Sequence, residues 1–245
     1  MLTAIQRTLR RPVLVFSRGA HTQYVQVDEN NGAREITLSH EKTKNSLSLE
    51  MMEHLTEAIN KNKDDTSLRA IILSAKGNVF SAGHNLKELV NGFATAAGCQ
   101  LVATCDIIVC SETSKFSTPG ANFGVFCSTP GIAVGRSIPK SRAMYMLLTG
   151  EPLSAQEAYE SGLVTKVVRA DQLDEEVNQI IDKIRHKSRS VIALGKQFYY
   201  KQIDLSLLEA YKLGEEIMVQ NINANDGQEG IRSFVEKRKA KWSHT

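Results

Sequence analysis

A chain of 245 residues, 42% apolar and 23% charged, is long enough to bury a real core without disulfide or metal staples. That composition excludes disorder and a collagen-like repeat. The longest apolar stretch, Leu101 to Cys110, is interrupted by Asp106 and is far too short to span a bilayer.

The formal net charge of +3 is concentrated in the opening segment. Residues 1–27 hold Arg7, Arg10, Arg11 and Arg18 and no carboxylate; the first acid is Asp28. Setting those four arginines aside, the 30 Lys and Arg fall to 26 against 27 acids, so the remainder carries −1. An arginine-rich, acid-free segment with scattered Ser and Thr has the composition of a mitochondrial presequence, read here as residues 1–23. Leu2, Ile5, Leu9 and Val13 recur at roughly helical spacing, as an amphipathic import signal requires. Cleavage is expected between Arg18 and Tyr24. A basic tail for nucleic acid or lipid is the bland alternative. Because the excess charge belongs to this segment alone, no nucleic-acid partner is expected.

Tyr24-Val-Gln-Val and Arg34-Glu-Ile-Thr-Leu flank Asn30-Asn-Gly32 and predict a hairpin. Ser48 opens a helix to about Lys63 with Met52, Leu55 and Ile59 on one face. Arg69 to Ser74 is a short continuous apolar strand, suited to a sheet covered on both faces. Ser81-Ala-Gly-His84 is a turn into a short helical piece, Asn85 to Leu89, and Asn91-Gly92 is a second turn. Thr95 to Thr104 predicts a buried helix and Asp106 to Cys110 a strand. Ser154-Ala-Gln-Glu157 is a capping box with Gly162 as the stop. Val164 to Val168 is one more strand. Helices follow from about Asp171 to Trp242, the last opened by Asp226 and carrying Lys237 to Lys241 as a solvated basic face.

Cys99, Cys105, Cys110 and Cys127 form no CxxC pair, and the six histidines form no i, i+4 pair. Buried reduced thiols are the expectation, and no metal site is expected.

Two glycine turns, Phe80-Ser-Ala-Gly-His-Asn-Leu86 and Asn91-Gly-Phe-Ala-Thr-Ala-Ala-Gly-Cys-Gln100, each precede a helix start. Their backbone amides can converge on one oxygen, where helix N-termini favour negative charge. With Lys44-Asn-Ser-Leu47, the strand Asp106-Ile-Ile-Val109, Leu148 to Ala158, Gly162 to Val168 and Phe234-Val-Glu-Lys-Arg238, they follow an ordered series of motifs. The series, from about Tyr24 to Trp242, resembles the crotonase (enoyl-CoA hydratase/isomerase) superfamily.

The resemblance implies an α/β fold: a spiral of ββα units over 24–170 and a C-terminal helical trimerisation region over 171–245. It implies a mitochondrial matrix protein of fatty acid metabolism, assembled as a homotrimer or hexamer. The ligand is an acyl-CoA thioester, with no separate cofactor. Two amides, those of His84 and Ala97, would hold the thioester oxygen. Losing one such donor typically costs ~2.7–4 kcal/mol of barrier stabilisation. Lys44, Asn45, Ala82, His84, Asn85 and Leu86 match the CoA-contacting segments. Phe234 and Lys237 match a C-terminal helix that reaches a neighbouring subunit's CoA site, with plain helix packing as the alternative.

The sequence departs from the family in two ways. The two glutamates that add water in hydratases align with Gln100 and Gly120, neither of which exchanges a proton near neutral pH. Each general acid or base is worth about 10²–10⁴ in rate, so ordinary hydration is not expected. Asn85 also stands where the family usually has Asp, and Glu88, Asp106 and Glu112 are the nearby carboxylates. Secondly, too few residues separate the two turns. A crossover between parallel strands needs at least roughly 10–12 residues, and a βαβ unit about 30. One strand and one helix are therefore expected to be missing between Leu89 and Asn91, as in a shortened isoform. A non-catalytic acyl-CoA binder, or an isoform that does not fold, are the alternatives.

Overall fold

The computed structural model describes residues 2–5, 24–83 and 93–245. These form two compact units, Met1–Ile180 and Ile181–Thr245.

The first unit is built on a six-stranded sheet. Its strands are β1 (Leu2–Ile5), β2 (Val25–Asn30), β3 (Ala33–Leu38), β4 (Ala70–Ala75), β6 (Ile107–Ser111) and β9 (Lys166–Val168). The spatial order is β2-β3-β4-β1-β6-β9. Only β2 and β3 pair antiparallel; all other neighbours are parallel. A smaller sheet joins β5 (Phe93–Thr95), β7 (Lys115–Ser117) and β8 (Leu153–Ser154), in the order β5-β7-β8.

The hairpin turn follows from Asn31 and Gly32. Both have positive φ, 47° and 77°, as the twist-matched hairpin turn requires. Helix α1 (Leu49–Asn60) is capped by Ser48, whose Oγ accepts the Met51 N–H at 3.2 Å. Its buried face is Met51, Leu55 and Ala58, while Met52 and Ile59 are only partly buried at its margin. The expected stripe of Met52, Leu55 and Ile59 is thus rotated, because tertiary packing and not spacing chooses among adjacent apolar residues. Arg34, 1% exposed, donates from Nη1 to the carbonyl oxygens of Ala58 (3.1 Å) and Lys61, and from Nε to Glu29 (2.8 Å). It closes the C-terminal end of α1, where carbonyls lack helical partners.

Helix α2 (Ala97–Ala103) begins two residues later than expected, because Phe93–Thr95 is a strand. Helices α3 (Ser128–Ser137), α4 (Lys140–Thr149) and α5 (Ala155–Glu160) follow. The capping box at α5 is formed as expected, with Ser154 N–H reaching Glu157 at 3.0 Å and Glu157 N–H reaching Ser154 Oγ at 3.3 Å. The core joins Ile36, Leu38, Met51, Leu73, Phe80 and Met146, among others, and takes in Cys99, Cys105 and Cys110.

Residues 2–5 also depart from expectation. Their apolar spacing suggested a helix; they form β1, a central strand paired on both sides. The helix expected at Asn85–Leu89 lies outside the described residues.

Helix α6 (Leu173–Arg185) leads into the second unit, which holds α7 (Arg189–Gln202), α8 (Leu207–Asn223) and α9 (Asn225–Val235). Helix α9 ends at Val235, and Lys237 has φ 53°. The Lys237–Lys241 run is therefore not on a helix, as expected from sequence, but in a tail that turns back. Its anchor is Asp226, 1% exposed. Its carboxylate accepts Ser188 Oγ (2.6 Å), Ser243 N–H (2.7 Å), Ser243 Oγ (2.8 Å) and His244 N–H (3.0 Å). Burial alone would push this carboxyl up, but these donors hold it down at about 2. Trp242 adds an Nε1–H bond to the His186 carbonyl at 2.9 Å.

Candidate active site

Three backbone segments of the first unit lock together where the two glycine turns meet. The Ala82 N–H donates to Lys44 O at 3.0 Å, and the Leu47 N–H donates to Gly83 O at 2.8 Å. The Thr95 N–H donates to Ser81 O at 3.1 Å, and Ser81 bridges to Ala94. The Gly83 N–H donates to its neighbour Ser81 Oγ at 3.2 Å.

Gly83 has φ 81°, and a Cβ there would lie 2.8 Å from Thr95 O and 3.2 Å from the Ala97 nitrogen. Only glycine lets the first turn approach the second this closely. Gly98 is equally constrained, since a Cβ would lie 2.5 Å from Ser81 O. Ala97 opens α2, so its N–H belongs to the first turn, where donors have no intrahelical acceptor. The residue before it, Ala96, has φ 50° and ψ −115°, a conformation that strains a residue carrying a Cβ. Its N–H is fixed to Ser117 O at 2.9 Å.

Lys44 and Asn45 both have φ 53°. Asn45 is fully buried, and its Nδ2 donates to Lys76 O (3.0 Å) and Val79 O (2.8 Å). Its side chain therefore braces the 76–79 loop.

Gln100 lies half-buried on α2. Gly120 lies in the single turn Pro119–Phe123, packed under the following loop. Its N–H donates to Cys127 Sγ at 3.3 Å, and its carbonyl accepts the Val125 N–H at 3.0 Å. A Cβ at Gly120 would lie 2.1 Å from Val125 O and 2.7 Å from Cys127 Sγ. The turn therefore leaves no room for a side chain at Gly120. Burial, with a contribution from neighbouring Cys127, pushes the Cys99 thiol up to about 12, and burial pushes Cys110 to about 12. Both stay protonated and unreactive at neutral pH. Among the described residues, no group of three His, Cys, Asp or Glu side chains could hold a metal.

The sequence description of the enoyl-CoA hydratase/isomerase family matches residues 28–91 and 88–245. The chain belongs to this family. It is 47% identical to Enoyl-CoA hydratase domain-containing protein 3, mitochondrial, of Xenopus laevis, over 92% of this chain and 88% of that one. The Homo sapiens protein of the same name is 46% identical over 87% and 82%. The crystal structure of the human protein superposes with a TM-score of 0.86 at 44% identity, covering 90% of this chain and 100% of that one. An enoyl-CoA hydratase from Mycobacterium smegmatis gives 0.86 at 36% identity, covering 91% and 100%.

The two family matches meet at residues 88–91, the junction that looked too short. The Xenopus alignment runs over 258 positions but takes up 92% of 245 residues, about 225. About 33 positions therefore have no counterpart here, close to the roughly 30 of one βαβ unit.

Lys44 and Ala82 are joined by the Ala82 N–H to Lys44 O bond, and Gly83, next in the chain, lies close to Ala97. His84, Asn85, Leu86 and Glu88 lie outside the described residues. Phe234, 84% exposed, and Lys237 belong to the second unit. Glu112 is exposed beyond the end of β6. Sequence reasoning missed Ala96 and Cys127. Positive φ on an alanine has no local signature, and the Cys127–Gly120 contact depends on how the loop folds back.

Proposed function

We propose that this crotonase-family chain is a mitochondrial acyl-CoA-binding protein of fatty acid metabolism. The thioester oxygen is held by the backbone N–H groups of His84 and Ala97, and ordinary enoyl-CoA hydration is lost. The reading is supported by the close approach of Gly83 to Thr95 and Ala97. Lys44, Asn45, Ala82, Asn85 and Leu86 would line the CoA path. A homotrimer or hexamer, with Phe234 and Lys237 near a neighbour's CoA, completes the reading. The exposed Leu207, Leu208, Tyr211 and Phe234 supply apolar surface for such assembly. The mitochondrial address rests on the acid-free N-terminal segment and on the names of the relatives.

The chemistry expected of this site is limited. An oxyanion hole stabilises charge on the thioester oxygen but moves no proton. Hydration also needs an acid and a base, and Gln100 and Gly120 supply neither. Calorimetric titration with crotonyl-CoA, beside an assay of its hydration, tests the reading. Heat of binding with little or no hydration is expected. No heat of binding, from a protein that melts cooperatively, would overturn it; hydration at a hydratase's rate would overturn the loss of acid–base chemistry. Ala97→Pro removes the donor at a first helical position, and because Ala96 before it sits at φ 50° and ψ −115°, outside the range a residue before proline favours, its melt is taken beside its binding. It should weaken binding by roughly 2–12-fold, the worth of one hydrogen bond.

A further inference from the structure

We propose that Leu2–Ile5 is a resident strand that takes the place of the strand lost at the 88–91 junction. This chain then keeps its fold only while its N-terminal segment is retained. The inference is independent of the acyl-CoA reading.

The argument begins from the sheet order. β1 lies between β4 and β6 and runs parallel to both. Leu2, Thr3 and Ala4 pair with Ile71, Ile72 and Leu73 on one side. Thr3, Ala4 and Ile5 pair with Ile107, Ile108 and Val109 on the other. The outer edges of β4 and β6 are already taken by β3 and β9. Without β1, two bare edges would face each other in the middle of the sheet, among Ile72, Leu73, Ile108 and Val109, none more than 6% exposed. Buried amides left without partners are costly, so such a gap must be filled.

The missing family unit explains why the slot exists. About 33 alignment positions are absent, and the family match breaks at the same junction. Leu2-Thr-Ala-Ile5 suits the slot: it has no charge, proline or glycine. The geometry of the connection is also permissive. β1 and β2 are three strand spacings apart, about 14 Å, while the 18 residues from 6 to 23 reach up to about 60 Å when extended.

The consequence is a conflict between two uses of one segment. An import signal is normally removed, whereas a central strand cannot be. Processing between Arg18 and Tyr24 would open the slot, so the folded form is the chain that keeps residues 2–5.

Hydrogen exchange on the full chain tests this, with Thr3→Pro and Ala4→Pro as the perturbations. Successive amides of a central strand point to opposite neighbours, so the pair removes donors on both sides. In the unaltered chain, the amides of Ile71–Leu73 and Ile107–Val109 should be protected. In the double variant, protection should fall roughly tenfold or more in both strands, while the β2–β3 pair keeps its own. Unchanged protection in either β4 or β6 overturns the proposal. If the double variant does not fold, the same substitutions are made in a chain with the family's absent unit restored after Leu89. Tolerance there supports the proposal, because the slot is then occupied; failure to fold there overturns it.

Discussion

Gly120→Glu, which puts a carboxylate where the resemblance expects the second glutamate, should damage the protein and not repair it. A Cβ at this position would lie 2.1 Å from the Val125 carbonyl oxygen and 2.7 Å from Cys127 Sγ. The nearer obstacle is backbone, in a turn closed by the Val125 N–H to Gly120 O bond of 3.0 Å, so it cannot swing aside as a side chain would. Overpacking of this kind costs about 1–3 kcal/mol, and a backbone obstacle puts the cost at the upper end. For a chain of this length each kcal/mol lowers Tm by about 2–4 °C, so a fall of roughly 6–12 °C is expected. Gly120→Ala carries the same Cβ without a carboxylate and should lose nearly as much. Gln100→Glu, half-buried on α2, has no such obstacle and should fold normally. Neither Gly120→Glu nor Gln100→Glu alone should hydrate crotonyl-CoA, because the partner position stays without a carboxylate. Thermal melts of the three variants, with the hydration assay beside them, decide the matter. A Gly120→Ala protein as stable as its parent would refute the steric reasoning.

Three further outcomes follow from the geometry. Ala96→Gly relieves a positive-φ alanine, a gain larger than the added freedom of the unfolded chain, and should raise stability by about 1 kcal/mol, read as a higher Tm. Asp226 has its carboxyl depressed from 3.8 to about 2, so its contribution is present above pH 3.8 and is lost as pH falls through about 2. That shift corresponds to about 2 kcal/mol, and Asp226→Asn should lose it at pH 7 but not near pH 2, as read from urea midpoints. Arg34→Met leaves the Ala58 carbonyl without its buried donor and should cost about 1–3 kcal/mol, with α1 amides exchanging faster.

The residues themselves marked the hairpin, α1, β4, β6 and the α5 capping box, because each is written in a local pattern: a glycine turn, a cap, a short apolar run. They also marked the turns that form the lock, through Gly83 and Gly98. The rest depended on distant partners. β1 carries only four residues, and what makes it a strand is Ile71–Leu73 and Ile107–Val109, far along the chain. The C-terminal tail leaves the helical state because Asp226 and Glu229 capture Ser243 and Arg238, contacts that helical periodicity does not record. The closure over Gly120 is of the same kind, since it needs Val125 and Cys127 folded back onto it.

The net charge and length that open the sequence keep their meaning in altered form. The order of residues along the chain determined that the basic excess lies in one acid-free segment, and the spacing of the two glycine turns against the family pattern led to the expectation of a shortened core. Only the tertiary structure decided where the loss is made good. Parallel strands far apart in sequence share a ladder, and the place between β4 and β6 is taken by β1, which no local pattern in Leu2–Ile5 announces.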